Sequence, residues 1–222
     1  ELIKLNKVDY LFTTASENVA WLLNIRGHDT DYSPLPNAHA FINKKKEIFL
    51  FCNLKKINKD FKSRLNKKVK IYNFDHLQSF ISNLLNKKIL TDVISCSCFY
   101  KTIIKKNNSV IEKEDPIYLL KSLKNKTEIK NTIKSHIYDG AALTKFIFWL
   151  QNNYKTKKIT EISAQEKLLK FRKKNKSFYS SSFPTISGSG PNSAIIHYKA
   201  DKKSNRLLKK GDVYLVDSGG QY

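Results

Sequence analysis

A long amphipathic stretch between residues 125 and 150 constrains the fold more than any other feature of the chain. Asn125 and Glu128 have the spacing of a helix capping box, in which each side chain accepts the other residue's backbone N–H. Apolar or small side chains then recur with the spacing of one helix face. They are Ile129, Ile133, Ile137, Ala141, Thr144 and Phe148, with Leu143, Ile147 and Leu150 widening the face. The pattern predicts one long helix that packs on something large.

Strand-like and helix-like patterns alternate before residue 115, which predicts a small α/β domain. The predicted strands are residues 8–13, 38–43, 47–52, 69–73 and 90–95, and the predicted helices are residues 17–23, 77–85 and 98–105. We expect Ser16 and Asp75 to cap the first two of these helices. The polar segment Asn43–Lys46 lies between two apolar runs and is typical of a hairpin turn.

Helical patterns and then turn formers follow residue 115. Asp115 and Pro116 are expected to begin a connecting helix, because proline suits the first helical turn. Another helix is predicted after Thr160. Residues 180–193 are rich in Ser, Gly, Pro and Asn, which are turn residues. Two short strands are predicted beyond them, at residues 194–198 and 213–216. We assign residues 1–120 and 121–222 to two domains.

The net charge of +22 raises the question of a nucleic-acid partner. Lys and Arg number 41 against 19 acidic residues. Only Arg26, Arg64, Arg172 and Arg206 are arginine, the residue that makes bidentate bonds to bases and phosphates. The lysines are spread along the whole chain. We therefore interpret the charge as solvated lysine and expect no nucleic-acid partner.

Cysteine usage and the apolar runs bear on the compartment. The three cysteines form no C-x-x-C pair, so we expect buried or unreactive thiols in a reducing cytoplasm. The longest apolar runs are too short to cross a bilayer, so no membrane partner is expected.

The chain begins with Glu1, contains no methionine and ends soon after an apolar run. We therefore expect it to be an internal piece of a longer protein.

Asp217 carries the strongest chemical signal. It follows the apolar residues Val213–Val216, a pattern that predicts a strand buried on both faces. A carboxylate at the end of such a strand would need a cation, hydrogen-bond donors or a proton. The glycines of Ser218–Gly220 would let the backbone turn tightly and leave space beside it. Two interpretations stay open, a ligand of a hard metal ion or a turn-capping Asp, and the residue alone favours the turn.

His197 is the second candidate. It lies in the predicted strand at residues 194–198, where a histidine is commonly a core residue bonded to the backbone. Beside Asp217, however, a neutral imidazole would contact a substrate and move a proton. The preceding Gly188–Gly190 loop lacks the phosphate-binding glycine patterns and is interpreted as a turn. The serines and cysteines have no nucleophile-elbow context, so the sequence gives no case for a serine or cysteine hydrolase.

Five segments follow one another along the chain: Trp21–Gly27, Ser135–Gly140 with Ala142 and Leu143, Phe183–Asn192, Ile196–Tyr198 and Gly211–Gly219. Taken in order, they resemble the Xaa-Pro aminopeptidase (aminopeptidase P) family in its long three-domain form. The resemblance implies an α/β fold class. Residues 1–120 would form a creatinase-type middle domain, and residues 121–222 would form the incomplete N-terminal part of a pita-bread (α+β) catalytic domain.

The resemblance also implies a mechanism and its residues. Family members hold two divalent metal ions, with Mn²⁺ expected here and Zn²⁺ or Co²⁺ as alternatives, and an activated hydroxide attacks the peptide bond before proline. Asp217 matches the first metal-ligating Asp. His197 matches the active-site His that is both catalytic and substrate-binding. The other ligands are expected beyond Tyr222, so this chain would be inactive alone.

The whole protein implied by the resemblance is a cytoplasmic homodimer that acts on peptides with proline at the second position. Two alternatives stay open. One is a non-catalytic pita-bread module that binds nucleic acid or protein, and the other is a prolidase or creatinase relative. The presence of Asp217 and His197 favours an enzyme, and the Trp21–Gly27 segment of a long middle domain favours aminopeptidase P.

Overall fold

The computed structural model of the protein describes residues 2–222, with side chains from Ile3 onward. The chain divides into two compact units. The first unit contains the residues up to Thr30 together with Pro34–Leu123, and the second contains Asp31–Ser33 together with Lys124–Tyr222. Across residues 2–222, no helix has both the length and the apolar composition needed to cross a membrane.

A mixed sheet of six strands forms the centre of the first unit. The strands are β1 (Tyr10–Thr13), β2 (Ala38–Asn43), β3 (Ile48–Cys52), β4 (Val69–Asn73), β5 (Lys88–Thr91) and β6 (Ser109–Glu112). Their order across the sheet is β4-β3-β2-β1-β5-β6. β2 pairs antiparallel with β1 and β3, and the other neighbours pair in parallel. The structure confirms the predicted hairpin of β2 and β3, whose turn is stabilised by the Asn43 side chain accepting the N–H groups of Lys45 and Glu47.

Six short helices accompany this sheet. They are α1 (Leu2–Leu5), α2 (Ser16–Leu23), α3 (Lys59–Arg64), α4 (Leu77–Ser82), α5 (Cys98–Asn107) and α6 (Pro116–Ser122), with 3₁₀ turns at Leu54–Lys56 and Phe74–His76. Fully buried aromatic rings of Phe12, Phe41 and Phe51 pack with α4 and α5. As predicted, α6 begins with proline, and the Asp115 side chain accepts the Ile117 N–H at 2.9 Å.

Several local predictions in this unit are wrong. Ser16 is the first residue of α2, and the cap position belongs to Ala15, which makes no side-chain cap bond. Asp75 lies inside the 3₁₀ turn Phe74–His76, which the Asn73 side chain caps instead. The strand predicted at residues 90–95 ends at Thr91, because the next carboxylate, Asp92, accepts two backbone N–H groups and bends the chain. The sequence analysis missed β6, a short strand with both ends exposed.

Two packed helices and two small ribbons form the second unit. The helices are α7 (Lys126–Asn153) and α8 (Glu161–Lys173). The ribbons are antiparallel pairs of β7 (Ser180–Ser181) with β10 (Gly220–Gln221) and of β8 (Ile186–Ser189) with β9 (Tyr214–Asp217). The predicted capping box of Asn125 and Glu128 is present, and a second box joins Thr160 and Ser163 at the start of α8.

The long helix is confirmed, but only part of its predicted face is covered: Leu143 and Leu150 pack against the apolar cluster around α8, and other predicted positions do not. Ile133, Ile137 and Phe148 are 56%, 61% and 69% exposed. The buried residues are Ala142 and Phe146, which pack with apolar side chains of α8. Between residues 141 and 150, apolar side chains cover most of the helix circumference. Helical periodicity alone therefore does not decide which side faces α8.

Candidate active site

The β8–β9 ribbon places Asp217 opposite Ile186, at the end of β9. Alternate residues of β9 differ in exposure. Tyr214 and Val216 pack against the cluster around α8, whereas Val213 and Leu215, on either side of Tyr214, are 71% and 40% exposed. The prediction of a strand buried on both faces is therefore wrong, because a two-stranded ribbon lying on one helix layer covers only one of its faces.

The Asp217 carboxylate is exposed. Across residues 2–222 it has no hydrogen-bond or ion-pair partner. Water can solvate the charge, so the argument that burial forces a cation onto Asp217 does not hold for this structure. The chemistry of the group is unchanged, since a carboxylate without a protein partner keeps both oxygens available for a hard cation.

The glycines after Asp217 act differently from the prediction. Neither Gly219 nor Gly220 has a positive φ, so neither is required for a left-handed turn. A Cβ on Gly219 would collide with the Ser182 hydroxyl. The Ser182 N–H donates to the Gly219 carbonyl at 3.0 Å. Gly219 therefore allows close approach of the chain to Ser182 rather than a tight turn.

His197 does not lie in a strand, which contradicts the prediction for residues 194–198. A 3₁₀ helix, Gly190–Ala194, ends where the predicted strand would begin, and a turn that contains His197 follows it. The His197 backbone has φ 54°, a left-handed conformation that is uncommon for residues other than glycine. Its side chain is exposed. Across residues 2–222, no hydrogen bond or ion pair joins His197 to Asp217.

The neighbour of His197, Tyr198, is buried and reaches a carboxylate that the sequence analysis missed. Glu161, the first residue of α8, is 0% exposed. It accepts the Ser189 N–H at 2.7 Å, the Asn192 amide at 3.0 Å, the Tyr198 hydroxyl at 2.8 Å and the Arg206 N–H at 3.0 Å. An acidic residue in the first turn of a helix ordinarily faces solvent and is stabilised there by the helix dipole. The sequence position of Glu161 therefore gave no sign that its side chain is buried.

A second missed cluster joins the two helices. Arg172 is 2% exposed and donates to Asp139 through Nε at 2.7 Å and Nη2 at 2.9 Å. The Tyr222 hydroxyl donates to the same carboxylate at 2.8 Å. Burial and this bond to the Asp139 carboxylate raise the pKa of Tyr222 to about 12. Asp139 lies in one of the five segments that carry the family resemblance, but the resemblance implies no role for it.

Metal-binding capacity is limited in the described residues. Between residues 2 and 222, no group of three His, Cys, Asp or Glu side chains has an arrangement that holds a metal ion. The arrangement offers one solvated carboxylate at a strand end, one exposed imidazole on a left-handed turn, and a buried carboxylate that fixes the backbone beside that imidazole.

The fold is that of a creatinase-type domain followed by the start of a pita-bread domain, the architecture of a class of metallopeptidases. Residues 1–128 match the creatinase/prolidase N-terminal domain, and residues 130–222 match metallopeptidase family M24. The chain therefore belongs to the creatinase/prolidase family, and several of its relatives are named Xaa-Pro aminopeptidases.

Three relatives illustrate the similarity. The chain is 37% identical to the Probable Xaa-Pro aminopeptidase P of Laccaria bicolor and 36% identical to the Xaa-Pro aminopeptidase 1 of Dictyostelium discoideum, over 100% of its own length in both. A crystal structure of an X-prolyl aminopeptidase from Caenorhabditis elegans, described as a cytosolic enzyme with a di-nuclear active site, matches with a TM-score of 0.91 and 30% identity over 100% of this chain. The chain spans 35%, 36% and 37% of these proteins, respectively.

Proposed function

We propose that this chain is part of a metal-dependent aminopeptidase that removes an N-terminal residue preceding proline. The observation that carries the proposal is the Asp217 carboxylate, exposed and without a protein partner at the end of β9, inside the segment that matches metallopeptidase family M24. A structural Asp at a strand end ordinarily caps neighbouring N–H groups. Asp217 caps none within residues 2–222, so its oxygens are available to a cation.

Asp217 is proposed as one ligand of a centre that holds two divalent ions. Such a centre lowers the pKa of a bound water and polarises the peptide carbonyl. A single carboxylate does not hold two ions, so the remaining ligands would belong to a longer protein. The residues at hand fit one position of the centre and leave the others unfilled.

His197 is proposed to contact the substrate. Its exposed imidazole can donate to a peptide carbonyl or accept a proton from the reacting group. The fixed left-handed turn beneath it would limit the directions in which the ring points. Proline at the second substrate position is proposed from the names of the relatives, and a cytoplasmic location from the relative described as cytosolic. Mn²⁺ as the metal and a homodimer are proposed from the family resemblance of the sequence alone.

The first experiment measures hydrolysis of a Xaa-Pro peptide by the longest native gene product, reconstituted in parallel with Mn²⁺, Zn²⁺ and Co²⁺. We expect activity with at least one metal, highest with Mn²⁺. Asp217→Asn should reduce the activity to background, and His197→Gln should reduce kcat/KM by at least about 100-fold. Glu166→Gln serves as the control. It replaces the exposed carboxylate of a residue on α8 with an amide and should retain activity.

Two results would refute the proposal. One is a native product that folds but cleaves no Xaa-Pro peptide with any of the three metals. The other is an Asp217→Asn variant that binds metal and cleaves peptide as well as the Glu166→Gln control does.

The 222-residue chain alone gives a complementary test. We expect calorimetric titration with Mn²⁺ to show only weak binding, because no three-residue metal group exists within residues 2–222. Tight stoichiometric binding would show that the ligand set differs from the proposed one.

A further inference from the structure

We propose that Glu161 is a positioning residue for His197, fixing the turn from which the imidazole reaches a substrate. The effect on activity rests on the proposed function of His197, whereas the effect on the turn does not. Glu161 itself is fully buried and would not touch the substrate.

The four donors to Glu161 are distributed along the segment that contains His197. Ser189 ends β8, and Asn192 lies in the 3₁₀ helix. Tyr198 immediately follows His197, and Arg206 lies on the return path toward β9. One carboxylate thus ties together four points of residues 189–206. The anchors at Asn192 and Tyr198 lie on either side of His197 and hold both ends of its turn.

The backbone near the first anchor has little freedom. A Cβ on Gly188 would lie 2.8 Å from the Asn192 carbonyl oxygen, so only glycine lets β8 approach the 3₁₀ helix this closely. Gly190 has φ 57°, and the Ser193 hydroxyl donates to its carbonyl at 2.6 Å. Asn192 also donates to the Tyr198 hydroxyl at 2.8 Å. The two anchors are therefore coupled to each other as well as to Glu161.

The donors to Glu161 are all uncharged. Within residues 2–222, no Lys or Arg side chain lies within ion-pair distance of its carboxylate. Two of the donors are backbone N–H groups, and the other two are the Asn192 amide and the Tyr198 hydroxyl. Bonds to an ionised acceptor are shorter and stronger than neutral ones. Replacing the carboxylate with an amide keeps the shape, removes the charge and places an NH₂ group against at least one donor. The turn should loosen without a cavity in the core.

Histidine NMR tests this inference without any catalytic assay. The chain has five histidines, and a His197→Gln variant assigns the His197 ring signals. In Glu161→Gln we expect the His197 signals to shift or broaden while those of His136 stay in place. Exchange of the Ser189 and Arg206 amides should accelerate by at least about tenfold. Glu166→Gln is the matched control and should change neither.

A folded Glu161→Gln protein with unchanged His197 signals would overturn the inference. If Glu161→Gln does not fold, Tyr198→Phe replaces it, since that change removes one bond to Glu161 and keeps the ring. We then expect the His197 signals to shift in Tyr198→Phe. Unchanged His197 signals in that variant would also overturn the inference.

A double-mutant cycle in the metal-loaded native product separates positioning from general stability. Glu161→Gln should lower kcat/KM in the wild-type background and have almost no further effect beside His197→Gln, because both changes remove the same contribution. If the loss of kcat/KM in the double variant equals the product of the losses in the two single variants, Glu161 does not act through His197. If the wild-type product cleaves no Xaa-Pro peptide, the proposed function fails, and the NMR result still decides the role of Glu161.

Discussion

The Arg172 guanidinium and the Asp139 carboxylate form two parallel hydrogen bonds, Nε to Oδ1 at 2.7 Å and Nη2 to Oδ2 at 2.9 Å. The pair joins the middle of α7 to the end of α8. Arg172 is almost fully buried, whereas the Asp139 side chain is 26% exposed. Within residues 2–222, Asp139 is the one carboxylate at ion-pair distance from Arg172, so the buried charge of the arginine depends on it.

Removal of the carboxylate should destabilise the second unit strongly. In Asp139→Asn, the Arg172 guanidinium stays buried without a counter-charge, and we expect a loss of about 3 kcal/mol in the free energy of unfolding. The single variant Arg172→Met removes the buried guanidinium charge itself and should therefore cost less. Urea unfolding followed by circular dichroism measures both. Asp60→Asn breaks an exposed pair with Arg64 and should cost about 1 kcal/mol or less. A loss in Asp139→Asn no larger than in this control would contradict the argument.

The same pair predicts a pH dependence. Burial by itself raises the pKa of the Asp139 carboxyl, but the hydrogen bonds from Arg172 and Tyr222 outweigh it and hold the pKa below the ordinary value of 3.8. The unfolded chain therefore takes up this proton at a higher pH than the folded chain does. The stabilisation is fully present above the ordinary pKa and is lost as the pH falls through the lower folded pKa.

Stability measured between about pH 6 and about pH 3 should therefore fall more steeply in the wild type than in Asp139→Asn. The variant lacks the titrating group, so the difference between the two curves should shrink toward the acid end. A constant difference across the range would show that Asp139 does not titrate with folding.

The buried and exposed sides of α7 predict opposite results for similar truncations. Phe146 is 1% exposed and packs with Ile159, Ala164 and Leu168, so Phe146→Ala should cost about 3–5 kcal/mol. Ile133 is 56% exposed in this structure, so Ile133→Ala should stay within about 0.5 kcal/mol. Thermal unfolding of the two variants checks the assignment of the helix faces. A large loss in Ile133→Ala would mean that this side of α7 is covered in solution.

The elements that could be predicted from the sequence are those determined by residues close together in the chain. The box of Asn125 and Glu128, the proline start of α6 and the hairpin at Asn43 each depend on residues within a few positions of one another. A tertiary contact accompanies the failure at residues 194–198. Tyr198 bonds Glu161 across 37 positions, and residues 195–197 beside that bond form a bend and turn rather than the predicted strand. No local pattern contains that contact.

The candidate site shows the same division. Sequence motifs singled out Asp217 and His197 as candidates, because resemblance to a family depends on residue order rather than on packing. The environment predicted for both was wrong, since the burial of a strand end depends on which neighbouring layers are present. Glu161 and Arg172 escaped notice for a related reason. Charged residues on a helix ordinarily face solvent, and only the packing of α8 shows that both are buried.

The three cysteines should differ in reactivity with an alkylating reagent, and this gives a last test of the first unit. Cys52 and Cys96 are buried, and Cys98 is exposed. Burial raises the pKa of the Cys96 thiol to about 11 and also raises the pKa of Cys52. The thiolate is the reactive form, so both buried groups should resist modification at mildly alkaline pH. Mass spectrometry of the native protein should show one modified cysteine, at Cys98, and the urea-unfolded protein should show all three. A Cys98→Ser variant is the control, and rapid native labelling of that variant would show that the Cys96 or Cys52 environment opens to solvent.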